Sequence, residues 1–324
     1  MNDSKPSHHS NHSPAPLASS LETLTGQSLP LEGDSPSVHT NASHWPEDYE
    51  LLDQGQLRVS RHYLSVFESL GWHTFEDVFT TPLARRMRRI QQRENSHLKL
   101  PYPQCDNTVS AFMKRHTVSN LWRWLREVCT GHILHSDGIA EADAVAKAQA
   151  AGIETMTIIA AGEARGPRPW QARSFFISEA ITGAHPADLF WTQHITDDAS
   201  GTALLNVMAD KARALHNAGL FHRDLYWCHF FVRQAATGCF RVRLIDLQRL
   251  RYLPRWCCAY ARLKDLAQYY RSAPPPEEGG PTFAQLCAWY SRYRGKPALV
   301  GFDRCRFALI RFRTALYRLK DRKR

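Results

Sequence analysis

The part of this chain that most restricts its fold is a polar loop followed at once by a short β-hairpin. Two apolar runs, residues 230–232 and 240–244, alternate as strands do, and Thr237-Gly238 between them is a turn signal. A hairpin brings the start of one strand next to the end of its antiparallel partner. Asp224, just before the first strand, and Asp246, just after the second, are therefore expected to meet in one cleft.

The two aspartates have the context of the catalytic residues of protein kinases. A helical pattern over residues 201–218 stops at Gly219, and the tripeptide His222-Arg223-Asp224 follows. In a protein kinase the loop aspartate accepts the proton of the substrate hydroxyl, and a second aspartate holds Mg²⁺ against the nucleotide phosphates. Asp224 is thus the predicted catalytic residue and Asp246 the predicted metal ligand. The alternative is that Asp224 only caps a turn and Asp246 pairs with an arginine.

Two earlier residues supply the groups that would bind the nucleotide. Lys114 lies on a predicted strand over residues 108–116, and Glu141 lies on a predicted Ala-rich helix over residues 137–151. A kinase needs a lysine to hold the phosphates and a carboxylate on the neighbouring helix to orient that lysine. The alternatives are a solvent-exposed strand lysine and an acid favoured by the positive end of the helix dipole.

Two further segments bear on the nucleotide. Predicted strands at residues 155–161 and 173–181 place Glu179 and Ala180 where a kinase hinge presents backbone groups to adenine. No G-x-G-x-x-G motif precedes Lys114, so other residues must cover the phosphates. The arginine-rich run 85–93 either neutralises phosphates or forms the solvated basic face of a helix.

Several pieces of the sequence together resemble the lipopolysaccharide kinase (Kdo/WaaP) family, over roughly residues 105–272. The similar pieces are Phe112-Met113-Lys114-Arg115-His116, Ala140-Glu141-Ala142, Gly152-Ile153-Glu154-Thr155, residues 222–230, Leu244-Ile245-Asp246-Leu247-Gln248-Arg249 and Lys264-Asp265-Leu266. The pair Cys228-His229 is the most specific, because protein kinases have asparagine at the second position. His229, assigned to the metal site, either contacts Mg²⁺ or holds Asp224 by a hydrogen bond; its soft nitrogen donor favours the second role.

The resemblance implies an ATP- and Mg²⁺-dependent kinase that phosphorylates a heptose or Kdo hydroxyl of a lipid-linked, anionic lipopolysaccharide core. The alternatives are a kinase of another small molecule or of a protein, and a nucleotide-binding pseudokinase that acts as a scaffold. Arg249 and Arg251 either bind the anionic acceptor or are plain surface charge. Asp265 either supports the catalytic loop through hydrogen bonds or is a structural residue of its helix.

The order of elements predicts an α+β, two-lobed, protein-kinase-like fold. Residues 1–44, rich in Ser, His, Pro and Asn, are expected to be a disordered tail. Residues 45–183 would form an N-lobe with an antiparallel sheet and one helix, and residues 184–324 a mainly helical C-lobe. Further helices are predicted at residues 60–70, 259–272, 282–294 and 303–320.

Charge and cysteine content limit the partners and the compartment. The net charge of +10 favours an anionic partner. The C-terminal helix mixes basic and apolar residues, so it either lies on acidic membrane lipid or is a docked amphipathic helix. The basic residues are not interleaved with aromatic ones in any recognised module, so no nucleic acid is expected. Eight scattered cysteines without a C-x-x-C pair indicate a reduced, cytoplasmic setting. Peripheral contact at the inner face of the cytoplasmic membrane would suit the lipid-linked acceptor that the resemblance implies.

Overall fold

The first lobe of the computed structural model is built on a seven-stranded antiparallel sheet with the strand order β1-β2-β6-β7-β5-β4-β3. The structure describes residues 48–90, 93–102, 105–117, 121–122, 125, 136–168, 171–253 and 255–322. The strands of this sheet are β1 (Tyr49–Leu52), β2 (Leu57–Ser60), β3 (Arg85–Ile90), β4 (Arg93–Tyr102), β5 (Cys105–His116), β6 (Ile158–Arg165) and β7 (Ala172–Glu179).

Both faces of the sheet are covered, so the neighbouring central strands β6 and β7 are buried along most of their length. The short helices α1 (Leu64–Ser69) and α2 (Phe75–Phe79) cover one face, where Phe67 and Phe75 are buried. The long helix α3 (Asp137–Ala150) covers the other. Gly138 lets α3 approach closely, since a Cβ there would stand 2.5 Å from the backbone oxygen of Phe175.

The second lobe is mainly helical, with small β-pairs around the loop that contains His222-Arg223-Asp224. Its helices are α4 (Ala187–His194), α5 (Asp198–Asn217), α6 (Arg255–Ser272), α7 (Phe283–Arg294) and α8 (Phe302–Arg322). Its short strands are β8 (His185–Pro186), β9 (Leu220–Phe221), β10 (Phe230–Gln234), β11 (Phe240–Leu244) and β12 (Arg251–Tyr252). The core includes Tyr269 of α6 and Trp289 of α7, whose rings stack with centroids 4.1 Å apart.

Hydrogen bonds join the segment after α3 to the end of β11. The N–H of Leu244 donates to the carbonyl of Glu154 at 2.9 Å, and the hydroxyl of Thr155 donates to the carbonyl of Leu244 at 2.6 Å. The Glu154 carboxylate also accepts from Lys211 of α5 and Arg241 of β11. The strand that leads to Asp246 is thereby held at a fixed position relative to α3.

The predicted fold class is confirmed: an antiparallel sheet with one long helix precedes a mainly helical part. The predicted elements at residues 137–151, 201–218 and 240–244 lie within one to three residues of α3, α5 and β11. The lobe boundary at residues 183 and 184 stays a prediction, and residues 1–44 lie outside the described residues. Within the part of the chain that is described, no helix is both long and apolar enough to cross a lipid bilayer.

Three local features differ from the sequence-based expectation. Residues 85–90 form the edge strand β3, because pairing with β4 along the sheet outweighs the weak local preference of a run of arginines. The helical alternative for the run 85–93 was therefore wrong, and its role in neutralising phosphates stays a prediction. The strand predicted at residues 155–161 is shifted towards the C-terminus, since β6 continues to Arg165 through its pairing with β7. The expected helix at residues 60–70 starts with a 3₁₀ turn and is regular only in α1.

Candidate active site

The catalytic loop is held in an unusual backbone conformation by one buried carboxylate. Arg223 has φ +69°, in the left-handed region that residues other than glycine rarely adopt. The Asp265 carboxylate, on α6, accepts from the backbone N–H of His222 at 2.8 Å and of Arg223 at 2.7 Å. The ammonium of Lys264 donates to the Arg223 carbonyl at 2.7 Å. Asp265 therefore supports the loop through hydrogen bonds, as one of the two sequence-based alternatives expected.

The Asp224 carboxylate points to a polar surface shared with α6 and the segment after β11. Nη1 of Arg249 lies 2.9 Å from Oδ1 and 2.7 Å from Oδ2 of Asp224. Nε2 of Gln268 donates to Oδ1 at 3.3 Å and to the Tyr226 hydroxyl oxygen at 3.1 Å. The side chain of Asp224 is thus oriented from one side by a buried amide and covered from the other by an exposed guanidinium.

Asp246 occupies the second strained position of the site, with φ +56°. Its Oδ1 accepts from Nζ of Lys114 at 2.9 Å and lies 3.7 Å from the Arg93 guanidinium. Burial would raise the pKa of this carboxyl, but the charges of Lys114, Arg93 and His229 outweigh burial and hold the pKa well below its usual range. Asp246 is therefore an anion at neutral pH.

Lys114 connects the two lobes of the protein, because its ammonium contacts one carboxylate in each lobe. Its ammonium donates to Glu141 as well as to Asp246. Glu141 is fully buried on the face of α3 that packs against the sheet, and Lys114 lies on β5, which pairs with β7. The strand and helix predicted from the sequence therefore bring the expected lysine and glutamate together.

His229 uses its two ring nitrogens differently. Nδ1 lies 2.7 Å from the backbone carbonyl of Asp224, and a carbonyl can only accept, so Nδ1 carries the proton. Nε2 faces Oδ2 of Asp246 at a distance of 3.8 Å. The ring holds the Asp224 backbone on one side and faces the Asp246 carboxylate on the other, so it brings the two aspartates to one cleft.

The arginine-rich hairpin reaches the site through one residue. Arg93, the first residue of β4, donates from Nη1 to Oε1 of Gln248 at 3.0 Å, besides approaching Asp246. The hairpin β3–β4 therefore contacts the segment that follows Asp246.

The backbone N–H groups of Glu179 and Ala180, the predicted hinge residues, are less available to bind adenine than the sequence suggested. The N–H of Glu179 donates to the carbonyl of Thr157 and the N–H of Ala180 to the carbonyl of Ser110. The Glu179 carboxylate accepts from the Tyr63 hydroxyl at 2.8 Å. Their assignment to adenine binding stays a prediction, and any such contact would have to use groups other than these two N–H donors.

The donor set suits Mg²⁺ bound together with phosphates. No three histidine, cysteine or carboxylate side chains of the described residues cluster closely enough to hold a metal by themselves. Mg²⁺ in nucleotide sites usually takes only one or two carboxylates and completes its shell with phosphate oxygens and water. An ionised Asp246 beside Nε2 of His229 fits that pattern.

This arrangement was compared with known proteins. Residues 104–290, more than half of the chain, match the lipopolysaccharide kinase (Kdo/WaaP) family. The chain belongs to this family. It is 33% identical over 143 residues to a lipopolysaccharide core heptose(I) kinase WaaP of Pseudomonas aeruginosa, which covers 41% of this chain and 51% of that protein.

A second curated relative and a solved structure are also similar to the chain. A WaaP of Escherichia coli with the same description is 28% identical over 174 residues, covering 51% of this chain and 63% of that protein. The chain thus spans about half to two thirds of these curated relatives' lengths. A solved structure titled "WaaP in complex with acyl carrier protein" superposes with a TM-score of 0.56 at 22% identity, covering 82% of this chain and 97% of that one. This likeness shows the fold.

Sequence reasoning missed Gln268 and the contact between Arg93 and Gln248, although Arg93 belongs to the arginine-rich run 85–93 that it singled out. Gln268 follows Lys264 by four residues, so the helical period alone could have placed both on one face of α6. Arg93 and Gln248 carry no such signal, because their contact joins positions 155 residues apart.

Proposed function

We propose that this protein is a kinase that transfers the γ-phosphoryl group of ATP to a sugar hydroxyl, heptose or Kdo, of a lipopolysaccharide core. The observation that carries the proposal is the ion-paired chain Glu141–Lys114–Asp246 beside the Asp224 loop, in a member of the Kdo/WaaP family. The names of the relatives support the core heptose as acceptor.

In the proposed reaction Asp224 orients the acceptor hydroxyl and takes its proton. The acceptor O–H bond breaks, a bond forms between that oxygen and the γ-phosphorus, and the bond from the γ-phosphorus to the bridging oxygen breaks to release ADP. Lys114, kept in place by Glu141, neutralises phosphate oxygens once it turns from Asp246 to the nucleotide. Positioning and charge neutralisation provide most of the rate in such transfers.

Asp246 and His229 are the proposed holders of Mg²⁺. The ion, when bound, would neutralise charge on the β- and γ-phosphates. Asp246 contributes an anionic oxygen, and His229 contributes Nε2 while its Nδ1–H keeps the Asp224 backbone in place. The two roles that the sequence left open for His229 are compatible, because each uses a different nitrogen.

The proposed acceptor is lipid-linked, and α8 offers a surface for acidic lipid. The helix is docked on α6, since Phe307 and Ile310 are buried and the Thr314 hydroxyl donates to the Ala267 carbonyl. A second apolar stripe is exposed between arginines: Phe302, Leu309, Phe312, Leu316 and Leu319. Co-sedimentation with phosphatidylglycerol vesicles, but not with phosphatidylcholine vesicles, would support peripheral binding. The relative's complex makes acyl carrier protein a second proposed partner, testable by co-purification.

The function is tested with purified protein, Mg²⁺-ATP and deacylated core oligosaccharide. Phosphate should appear on the sugar, and Asp224→Ala should abolish the transfer while the thermal unfolding midpoint stays close to that of the wild type. Equal turnover by both proteins would refute the mechanism. ATP binding by both without turnover would favour the pseudokinase, and transfer to another hydroxyl compound or a protein in place of the sugar would favour the other kinase alternative.

A further inference from the structure

The Asp224 carboxylate is not free to act as a base in this structure. A single guanidinium nitrogen, Nη1 of Arg249, contacts both carboxylate oxygens, and Gln268 contacts one of them as well. A hydroxyl that is to give up its proton must itself donate to one of those oxygens. The guanidinium therefore competes with the acceptor for the same atoms.

Arg249 can leave Asp224 without any rearrangement of the backbone. Its side chain is 54% exposed, whereas that of Asp224 is 18% exposed. It ends the short 3₁₀ helix Leu247–Arg249, which the fully buried Leu247 anchors and whose C-terminal end leads into β12. The movable part of the pair is thus a solvated side chain on a fixed support.

The surroundings of the pair hold an excess of positive charge. The charges of Arg249 and Arg223 both act on Lys264, and the carboxylates that act on it are Asp224 and Asp265. Burial, and next the charge of Arg249, lower the pKa of the Lys264 ammonium, which shows that these cations repel one another. An additional anion at this place would be stabilised, and a neutral group would not.

We propose that Arg249 is the residue that selects for an anionic acceptor: it covers Asp224 until an acceptor arrives and then moves to a phosphate or carboxylate group of that acceptor. This inference deepens the kinase function proposed above and depends on it. The acceptor's negative charge uncovers the base at the moment when the acceptor hydroxyl is beside it. Water carries no such group, so it does not uncover Asp224, and ATP hydrolysis to ADP and inorganic phosphate is suppressed.

The test compares acceptors that differ only in charge. Transfer is measured with deacylated core oligosaccharide, with the same oligosaccharide after its carboxylates are reduced to alcohols, and with the oligosaccharide after its phosphates are removed. The wild type should lose about tenfold or more in kcat/KM when the recognised group is removed, as expected for one charge-assisted interaction. The arm that shows the loss identifies the source of the anion.

Arg249→Gln should reduce the preference for charged acceptors to near one and raise acceptor-independent ADP formation several-fold. Arg249→Lys keeps the positive charge but loses the paired N–H donors of the guanidinium, so it should retain part of the preference for charged acceptors. Arg292→Gln is the matched control, because Arg292 is also 54% exposed and also pairs with an aspartate, Asp210, at 2.9 and 2.7 Å, but between α5 and α7. It should behave as the wild type.

Two outcomes overturn the inference while leaving the kinase function standing: an unchanged acceptor preference in Arg249→Gln, or an unchanged rate of ADP formation. A wild type that phosphorylates none of the three oligosaccharides would instead refute the proposed function. Calorimetric affinity for the charged oligosaccharide without ATP gives a separate reading, and it should fall about tenfold in Arg249→Gln.

Discussion

Asp265→Asn would measure how strongly the shape of the catalytic loop depends on one buried carboxylate. Its two oxygens accept from the N–H groups of Arg223 and His222, and Oδ2 also lies 3.2 Å from Nε2 of His216. An asparagine has one carbonyl oxygen and one amino group. In either orientation, an N–H of the loop then faces another donor in a place that water does not reach.

The expected cost follows from those bonds. A buried donor that loses its acceptor costs about 1–3 kcal/mol, and the bond that remains becomes a neutral one and loses about 1 kcal/mol more. Removing the charge also removes its desolvation cost, which offsets part of the loss. The free energy of unfolding should therefore fall by about 2–3 kcal/mol, a large part of the ~5–15 kcal/mol typical of a domain.

The change should also reach the chemistry. Holding Arg223 at positive φ costs about 1–3 kcal/mol, so a weakened tether lets the loop relax and moves Asp224. Urea unfolding at pH 7.5 gives the stability, and kcat at saturating substrates gives the activity. In the control Asp303→Asn, the altered carboxylate pairs with Arg294 and Lys296 instead of the loop, so it should lose stability but keep kcat. A change below about 0.5 kcal/mol in Asp265→Asn, together with full activity, would refute the reasoning.

Three other predictions follow from single contacts. Glu141→Gln removes the buried anion that orients the site's lysine, so the KM for ATP should rise about tenfold with an unchanged far-UV spectrum; an unchanged KM would contradict the assignment. Gly138→Ala forces a methyl group against the Phe175 backbone and should cost about 1–3 kcal/mol in urea unfolding, unless α3 shifts freely. Burial lowers the pKa of His216 and of His222, so as the pH falls below about 6.5 the unfolded chain takes up protons before the folded protein does. The free energy of unfolding should then drop by ~1.4 kcal/mol per pH unit for each histidine. His222→Gln should remove part of that slope.

The catalytic loop could be read from the sequence because its geometry is local. Asp224 and Asp246 flank a hairpin whose strands are short and whose turn has Gly238 at φ +83°, so the chain itself brings the two carboxylates near each other. Lys114 and Glu141 could be paired because each lies on an element with a clear period. The positions of these four residues agree with the catalytic and binding roles assigned to them, and the roles themselves stay predictions.

The parts that escaped sequence reasoning depend on distant partners. The strands β1 to β4 have no distinctive local pattern, and their place is decided by pairing across the sheet. The contact of Arg249 with Asp224 could not be foreseen either, because both residues are polar and neither lies on a periodic element. The N–H donors of Glu179 and Ala180 were expected to face a ligand, but the sheet and an adjacent segment use them.

The outermost strand of the sheet has a consequence for how copies of this protein behave together. Among the described strands, β3 stands at the end of the sheet order and pairs on one side only, and such an edge invites another chain to add on. Four of its six residues are arginines: Arg85, Arg86, Arg88 and Arg89. Pairing of two such edge strands would bring like charges next to each other. The bulge between Arg86 and Arg88 also disturbs the regular geometry that such pairing needs. The positive charge of this strand should thus protect the protein from edge-to-edge aggregation, a protection that weakens as salt is added.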